Sequence, residues 1–231
     1  TAASNAPRPS DAQVSGAVQR AAPEDAVLVC AAGGLPGELH KLWQATTPGS
    51  YHLEYGYSCM GYEIAGGLGV KMARPEREVI VMLGDGSYLM LNSEIATSVM
   101  LGLKLIIVVL DNRGFGCISR LQQATGGAPF NNLFAADQVE GAPVVDFAAH
   151  VAALVAVAEK VSGLSELEAA MLRARDAKTT SVIVIDTDPA VSTAAGGHWW
   201  DVAVPEVSER AEVRLAREGY EASRRKQRPA D

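Results

Sequence analysis

The sequence predicts a three-layer α/β protein: a doubly wound, mostly parallel sheet with helices on both faces. Three observations carry this reading. Three segments, Glu78 to Gly86 (EVIVMLGDG), Lys104 to Asn112 (KLIIVVLDN) and Thr180 to Asp188 (TSVIVIDTD), contain nearly continuous apolar runs and not alternating ones. That is the pattern of strands covered on both sides. Helical stretches separate them, giving the order of a parallel sheet. The chain has 231 residues, 48% of them hydrophobic, enough to bury a full-sized core without metal or disulfide staples. One large domain is the first reading of that length, two small ones the second.

Each element follows from local signals. Thr1 to Ser10, rich in small residues and Pro, reads as a linker or arm. Ser10 and Gln13 have the spacing of a capping box, opening a first helix through about Ala21. Val27 to Ala32 is a short buried strand ending at Gly33-Gly34, and Gly37 to Trp43 looks helical. Met60 to Ala73 is a helix despite its glycines, ended by Arg74-Pro75. Glycine costs helix stability, so its use there is close backbone packing. Glu78 to Gly86 is a strand running into a turn, Asn92 to Leu101 a helix, and Lys104 to Asn112 the next strand. Phe147 to Ala158 and Leu164 to Ala174 read as helices, the second with Ser165 and Glu168 as a capping pair, before the strand at Thr180 to Asp188. Glu206 to Arg228 is acidic at its start and basic at its end, which suits a helix dipole and an exposed terminal helix. The expected division is an arm over 1–10, the main domain over 11–200 and a charged helical extension over 201–231.

Composition removes several function classes. With 20 basic against 27 acidic side chains and a net charge of -7, nothing supports general nucleic-acid binding. The apolar fraction excludes a disordered acidic tail. No apolar run approaches the roughly 20 residues of a membrane helix, and the start lacks a signal-type stretch. Cys30, Cys59 and Cys117 cannot all pair and form no CxxC, so they read as reduced thiols of a cytoplasmic protein. The first residue is Thr1, which raises the expectation of a longer natural chain.

The sharpest chemical signal is Gly84-Asp85-Gly86-Ser87 after one apolar strand, paired with Asp111-Asn112-Arg113-Gly114 after the next. Adjacent strand ends in a doubly wound sheet face one crevice, where ligands bind. A carboxylate and an amide oxygen there suit magnesium, which takes oxygen ligands, often including phosphate oxygens. Gly86 and Ser87 would turn backbone N–H groups toward that phosphate. A dinucleotide fingerprint fits less well, because Leu89 stands where its third glycine belongs, and there is no GxxxxGK[ST] loop. The residues by themselves leave three readings: ordinary turns, a magnesium–diphosphate site, or other chemistry.

Other candidates carry blander readings. His40, His52, His150 and His198 are too scattered for zinc. His52 and His150 read as structural hydrogen-bonding residues, Cys59 as packing, and Arg113 as a salt bridge or a substrate contact. Gln122 to Phe134 is a candidate lid or subunit contact, and Trp199-Trp200 packing or an edge cover. Asp186 and Asp188 lack the motifs of a phosphohydrolase.

GDGS at 84–87, with Asn112 following the next strand, is similar to the cofactor motif of the thiamine-diphosphate-dependent enzyme superfamily. The resemblance implies that Asp85 and Asn112 bind Mg2+ through side-chain oxygens and Gly114 through its backbone carbonyl. Gly84 would belong to the cofactor site, with Gly86 and Ser87 on the diphosphate. YGYSCMGYEIAGGLG (Tyr55 to Gly69) resembles the preceding segment of that superfamily. It implies Met60 as the apolar wedge between the cofactor's rings and the Ser58 carbonyl as acceptor for the pyrimidine amino group. Longer blocks, among them CAAGGLPGELHKLW, VVLDNRGFGCISRLQQATGG and AGGHWWDVAVPEVSERAEVR, resemble the ring-opening hydrolases of inositol catabolism. Those enzymes act on a cyclic polyhydroxy diketone. The resemblance covers only a pyrophosphate-binding domain. The activating glutamate would come from a pyrimidine-binding domain, supplied by a further part of the natural chain and a second subunit in a homodimer or homotetramer. Glu54, Glu63 and Glu94 are not candidates for that role.

Overall fold

The computed structural model describes residues 8–134, 144–193 and 202–227. Its elements are α1 (Asp11–Ala21), β1 (Val27–Cys30), α2 (Leu35–Leu42), β2 (Tyr51–Leu53), α3 (Tyr62–Ala73), β3 (Val79–Gly84), α4 (Asp85–Met90) and α5 (Glu94–Met100). They continue with β4 (Ile106–Asp111), α6 (Gly116–Ala124), α7 (Phe147–Ala153), β5 (Val157–Val161), α8 (Gly163–Asp176), β6 (Ser181–Asp186) and α9 (Ala211–Arg224). The six strands make one sheet in the order β2-β1-β3-β4-β6-β5. Every pairing is parallel. The expected architecture is therefore the observed one.

The period of two along each strand explains why the apolar runs are continuous. Leu28, Cys30, Ile80, Met82, Ile106, Val108, Ile183 and Ile185 face one layer, where α1, α2 and α8 cover them. Val27, Val29, Val79, Val81, Ile107, Val109, Val182 and Val184 face the other, under α3, α5 and α7. Both faces are dry, so no strand position on β3 or β4 can be polar before the strand's end. Each fully buried aliphatic side chain contributes roughly 1.5–3 kcal/mol.

Helix boundaries follow the caps. The Ser10–Gln13 capping box is complete: the Ser10 hydroxyl accepts from Gln13 N–H, and the Gln13 side chain accepts from Ser10 N–H at 2.9 Å. The capping pair expected at Ser165 and Glu168 does not form. α8 starts earlier, at Gly163, and Glu166 accepts from Ser162 N–H at 2.8 Å. The helix expected over Phe147 to Ala158 stops at Ala153; Val155 takes a left-handed φ of 60° and the chain turns into β5. Alanine's helix propensity suggested a longer helix, but the β-branched Val157 and Val161 close the sheet edge. That edge is guarded by charge, with Lys160 2.9 Å from Asp186 and Glu159 paired to Arg173. Within Glu78 to Gly86, read as a strand running into a turn, the strand ends at Gly84 and Asp85 already begins α4. α9 confirms a terminal helix, and its first turn packs on the turn at Gly126, whose carbonyl accepts from Arg210 Nε at 2.7 Å. Among the described residues no helix is long and apolar enough to cross a membrane.

The helix glycines serve close packing, as the sequence suggested. A Cβ on Gly67 would meet Val81 Cγ2 at 2.4 Å, so α3 lies flush on β3. Gly67→Ala should destabilise the fold by about 1–3 kcal/mol, because the branched Val81 cannot yield without displacing its own neighbours. Urea unfolding would show it as a lower midpoint at constant slope.

Asp11 lies at the N-terminus of α1 and is 8% exposed. Burial pushes its carboxyl up from 3.8 to about 6, opposed by the Arg120 guanidinium and reinforced by Glu38. The folded state thus holds this proton more tightly than the unfolded chain does. The stabilisation is full below about pH 4 and is lost as pH rises through about 6. Asp11→Asn should gain stability over the parent between pH 4 and pH 7 by roughly 1–3 kcal/mol. A stability difference that stays constant across that range in denaturant titrations would refute the assignment.

Candidate functional site

The strand order reverses between β1 and β3: β1 leads out to β2 on one side, and the chain then returns to place β3 on the other. At such a switch point the loops leaving adjacent strand ends diverge and open a crevice. Here a cavity of about 480 Å³ occupies that place. Its walls include Gly33 and Gly34 after β1, Gly84 to Ser87 after β3, and Asn112 with Gly114 after β4. Ser58 and Met60, from the loop before α3, line it too. All eight residues singled out from sequence, Ser58, Met60, Gly84, Asp85, Gly86, Ser87, Asn112 and Gly114, therefore meet around one cavity.

β3 is one residue too short to keep Asp85 in the sheet, so the carboxylate falls at the first position of α4. It is 4% exposed. Oδ2 accepts from Gly114 N–H at 2.7 Å, which ties the end of β3 to the end of β4. Oδ1 is buried without a hydrogen-bond partner, and so is Oδ1 of Asn112. Burial pushes the Asp85 carboxyl up to about 7, and the nearby Asp111 carboxylate adds to the effect. Burial likewise raises Asp111. The two orphaned oxygens, one of them on a buried carboxylate with no cation against it among the described residues, form an electrostatic deficit that a cation relieves.

The donor chemistry fits a hard cation. Among the described residues no three His, Cys, Asp or Glu side chains converge to hold a metal. A cation at Asp85 would have one carboxylate, one amide oxygen and backbone for protein ligands. That set suits an ion that keeps waters and binds phosphate oxygens, as Mg2+ does.

Close approach dictates the glycines around it. Gly114 has φ of 142°, and a Cβ there would fall 2.3 Å from the Asn132 carbonyl oxygen. A Cβ on Gly86 would meet the Phe115 ring at 2.8 Å and Met60 Cε at 3.1 Å. The Met60 side chain thus ends against the turn of β3. The loop carrying it reverses at two left-handed residues, Ser58 with φ of 51° and Gly61 with φ of 92°. The Glu54 carboxylate accepts from Tyr57 N–H at 3.2 Å and Cys59 N–H at 2.8 Å, pinning that loop from outside.

Other sequence candidates fall elsewhere. His52 Nε2 is 2.6 Å from Tyr62 OH with the two rings stacked, and His150 Nδ1 is 2.8 Å from Tyr88 OH. Both are structural pairs outside the crevice. Asp186 meets Lys160, and Asp188 accepts from Ala190 N–H, so the two carboxylates do not converge. The segment read as a lid or subunit contact, Gln122 to Phe134, runs beside Gly114. Gln122 to Ala124 end α6, and Phe115 N–H and Phe134 N–H bond to Asn132 and Arg113 carbonyls across Gly114. It braces Gly114 from behind. His198, Trp199 and Trp200 lie outside the described residues. The sequence reading missed Gly33 and Gly34, though a buried strand ending on two glycines was the available signal. It also missed the lining residues Asp11, Phe115 and Cys117, for which no local pattern existed.

Comparison with known proteins agrees with this geometry. The family model described as "Thiamine pyrophosphate enzyme, C-terminal TPP binding domain" matches residues 31–185. The chain is 42% identical over 204 residues to 3D-(3,5/4)-trihydroxycyclohexane-1,2-dione hydrolase of Bacillus subtilis (strain 168), covering 88% of this chain and 31% of that protein. It is 40% identical over 208 residues to the protein of the same name from Shouchella clausii (strain KSM-K16), covering 89% and 32%. The chain thus spans about a third of the length of these curated relatives. Among solved structures, the thiamine diphosphate-dependent 4-hydroxybenzoylformate decarboxylase of Rhodococcus jostii RHA1 aligns with a TM-score of 0.69 at 22% identity, over 81% of this chain and 34% of that one. That likeness is one of fold. The family match spans well over half of the chain and takes in Gly33, Asp85, Asn112 and Gly114; the chain belongs to the C-terminal TPP-binding domain family of thiamine pyrophosphate enzymes, and its cofactor is thiamine diphosphate.

Proposed function

We propose that this chain supplies the diphosphate- and metal-binding half of a thiamine-diphosphate- and Mg2+-dependent hydrolase. The reaction would open the ring of 3D-(3,5/4)-trihydroxycyclohexane-1,2-dione to 5-deoxy-glucuronate in myo-inositol degradation, in the cytoplasm. The names of the relatives at 40–42% identity support the substrate class. The single observation that supports the cofactor half is the pair of orphaned buried oxygens, Asp85 Oδ1 and Asn112 Oδ1, on adjacent strand ends.

In this reading Asp85 and Asn112 hold Mg2+ through those oxygens, and Gly114 through its carbonyl. Gly84, Gly86 and Ser87 bound the diphosphate; the absence of a Cβ on Gly86 keeps its approach open. Met60, which presses against the same turn, would hold the cofactor's two rings apart, and the Ser58 carbonyl would accept from the pyrimidine amino group. The cofactor, when bound, supplies an electron sink for breaking a carbon–carbon bond next to a carbonyl. The residues of this chain anchor and orient it, and the dry walls of the crevice strengthen every electrostatic contact there.

The activating glutamate comes from a pyrimidine-binding domain outside this chain, in a homodimer or homotetramer. Glu54 is occupied by backbone N–H groups of its own loop, and Glu63 is 0% exposed. The exposed Leu89, Met90 and Leu91, at the end of α4 and just beyond it, begin two residues after Ser87, where such a domain would cover them.

Calorimetric titration with thiamine diphosphate, with and without Mg2+, tests the half-site. Binding should require Mg2+ and weaken at least tenfold in Asp85→Ala, about 1.4 kcal/mol or more. Binding indifferent to both would overturn the assignment. With a pyrimidine-binding domain present, turnover of the cyclic dione should open the ring without releasing carbon dioxide; carbon dioxide among the products would point to a decarboxylase instead.

A further inference from the structure

Glu63 is a fully buried carboxylate in the first turn of α3. Its residue is 0% exposed. Oε1 accepts from Ala32 N–H at 3.2 Å, at the end of β1. Oε2 accepts from Gly61 N–H at 3.0 Å, directly after Met60. The Ser87 side chain faces the same carboxylate, and among the described residues no cation does. Burial accordingly raises its carboxyl above the ordinary range, against the pull of these donors.

A buried carboxylate without a cation is costly, and neutral side chains of the same size avoid the cost. A contact at the helix start accounts for part of the arrangement, since Glu63 lies in the first turn of α3 and accepts from the N-cap Gly61 N–H. A glutamine amide oxygen can accept that bond as well as a carboxylate. That contact does not account for the second oxygen, which leaves the helix and holds Ala32, nor for Ser87. Ala32, Met60 and Ser87 all line the crevice, and they come from three different segments. One carboxylate joins all three segments.

We propose that Glu63 is a positioning residue: it fixes the spacing between the loop that presents Met60 and the strand-end turns that receive the diphosphate. The inference rests on the cofactor site proposed above. It concerns geometry, not proton transfer, because the carboxylate acts only through Gly61, Ala32 and Ser87.

Two backbone donors meet two oxygens, so a side chain with one acceptor cannot serve both. Glu63→Gln keeps size and shape but must release either Ala32 or Gly61. The chain and this variant would be compared in thermal unfolding, in amide hydrogen exchange, and in calorimetric titration with Mg2+ plus either thiamine diphosphate or inorganic pyrophosphate. The thermal midpoint should change little, since removing a buried charge offsets the one backbone donor released. Exchange at the Ala32 or the Gly61 amide should quicken at least tenfold, while β3 and β4 keep their protection. Affinity for thiamine diphosphate should fall at least tenfold, and affinity for pyrophosphate, which lacks the rings, less than threefold.

Equal losses for both ligands would make Glu63 a merely structural residue. No change in either ligand or in exchange would make it a helix-start contact alone. Should the parent chain bind neither ligand, the proposed function fails; the exchange measurement then decides the tie, and unchanged exchange at both amides overturns it.

Discussion

The hydrogen bond from Gly114 N–H to Asp85 Oδ2 holds the crevice together. It links the ends of two neighbouring strands at the one place where neither can be covered by a helix. β3 must stop at Gly84 for the carboxylate to turn inward, and β4 must run on through Asp111 for Gly114 to reach it. Register between β3 and β4 sets both lengths, since Gly84 pairs with Leu110. A slip of one residue would move Asp85 away from Gly114 and turn the apolar faces of β3 into the wrong layers. The site is thus specified by the packing of the sheet beneath it.

This dependence also determines what could be read from the sequence. Central strands are buried on both faces, so β3, β4 and β6 appear as uninterrupted apolar runs. Their polar terminators, Asp85 and Asn112, then mark the crevice without further information. Edge strands give no such signal. Tyr51, His52 and Leu53 of β2 are half-buried and mixed in character, and β5 reads Val-Ala-Glu-Lys-Val, a pattern that an alanine-rich neighbour drew into a helix. α6 went unrecognised because its first residues, Gly116 and Cys117, belong to the crevice as much as to the helix. Glu63 was visible only as a glutamate. Its meaning depends on Ala32 and Ser87, whose nearness is a product of the whole sheet.

Buried acids stand in and around the same crevice: Asp11 and Asp85 line it, and Glu63 and Asp111 sit just behind its walls. Asp11, Glu63, Asp85 and Asp111 are all buried carboxylates, and burial is the leading cause of each raised pKa. A core selected for stability alone would replace them with apolar or amide side chains. Their concentration at one end of the strands, while the opposite ends are closed by ordinary turns, separates the part of the molecule shaped by ligand chemistry from the part shaped by packing.

The strand order bears on how the chain assembles as it is made. β5 precedes β6 in sequence, yet among the described residues its one neighbour in the sheet is β6. During synthesis from the N-terminus, β1 to β4 can align as each emerges, but β5 has nothing to pair with. It must wait until α8 and then β6 have left the ribosome, and β6 must slot in beside β4 first. The segment from Val157 to Val161 therefore spends that interval with an open backbone, and its two charged side chains, Glu159 and Lys160, disfavour pairing with a wrong strand meanwhile.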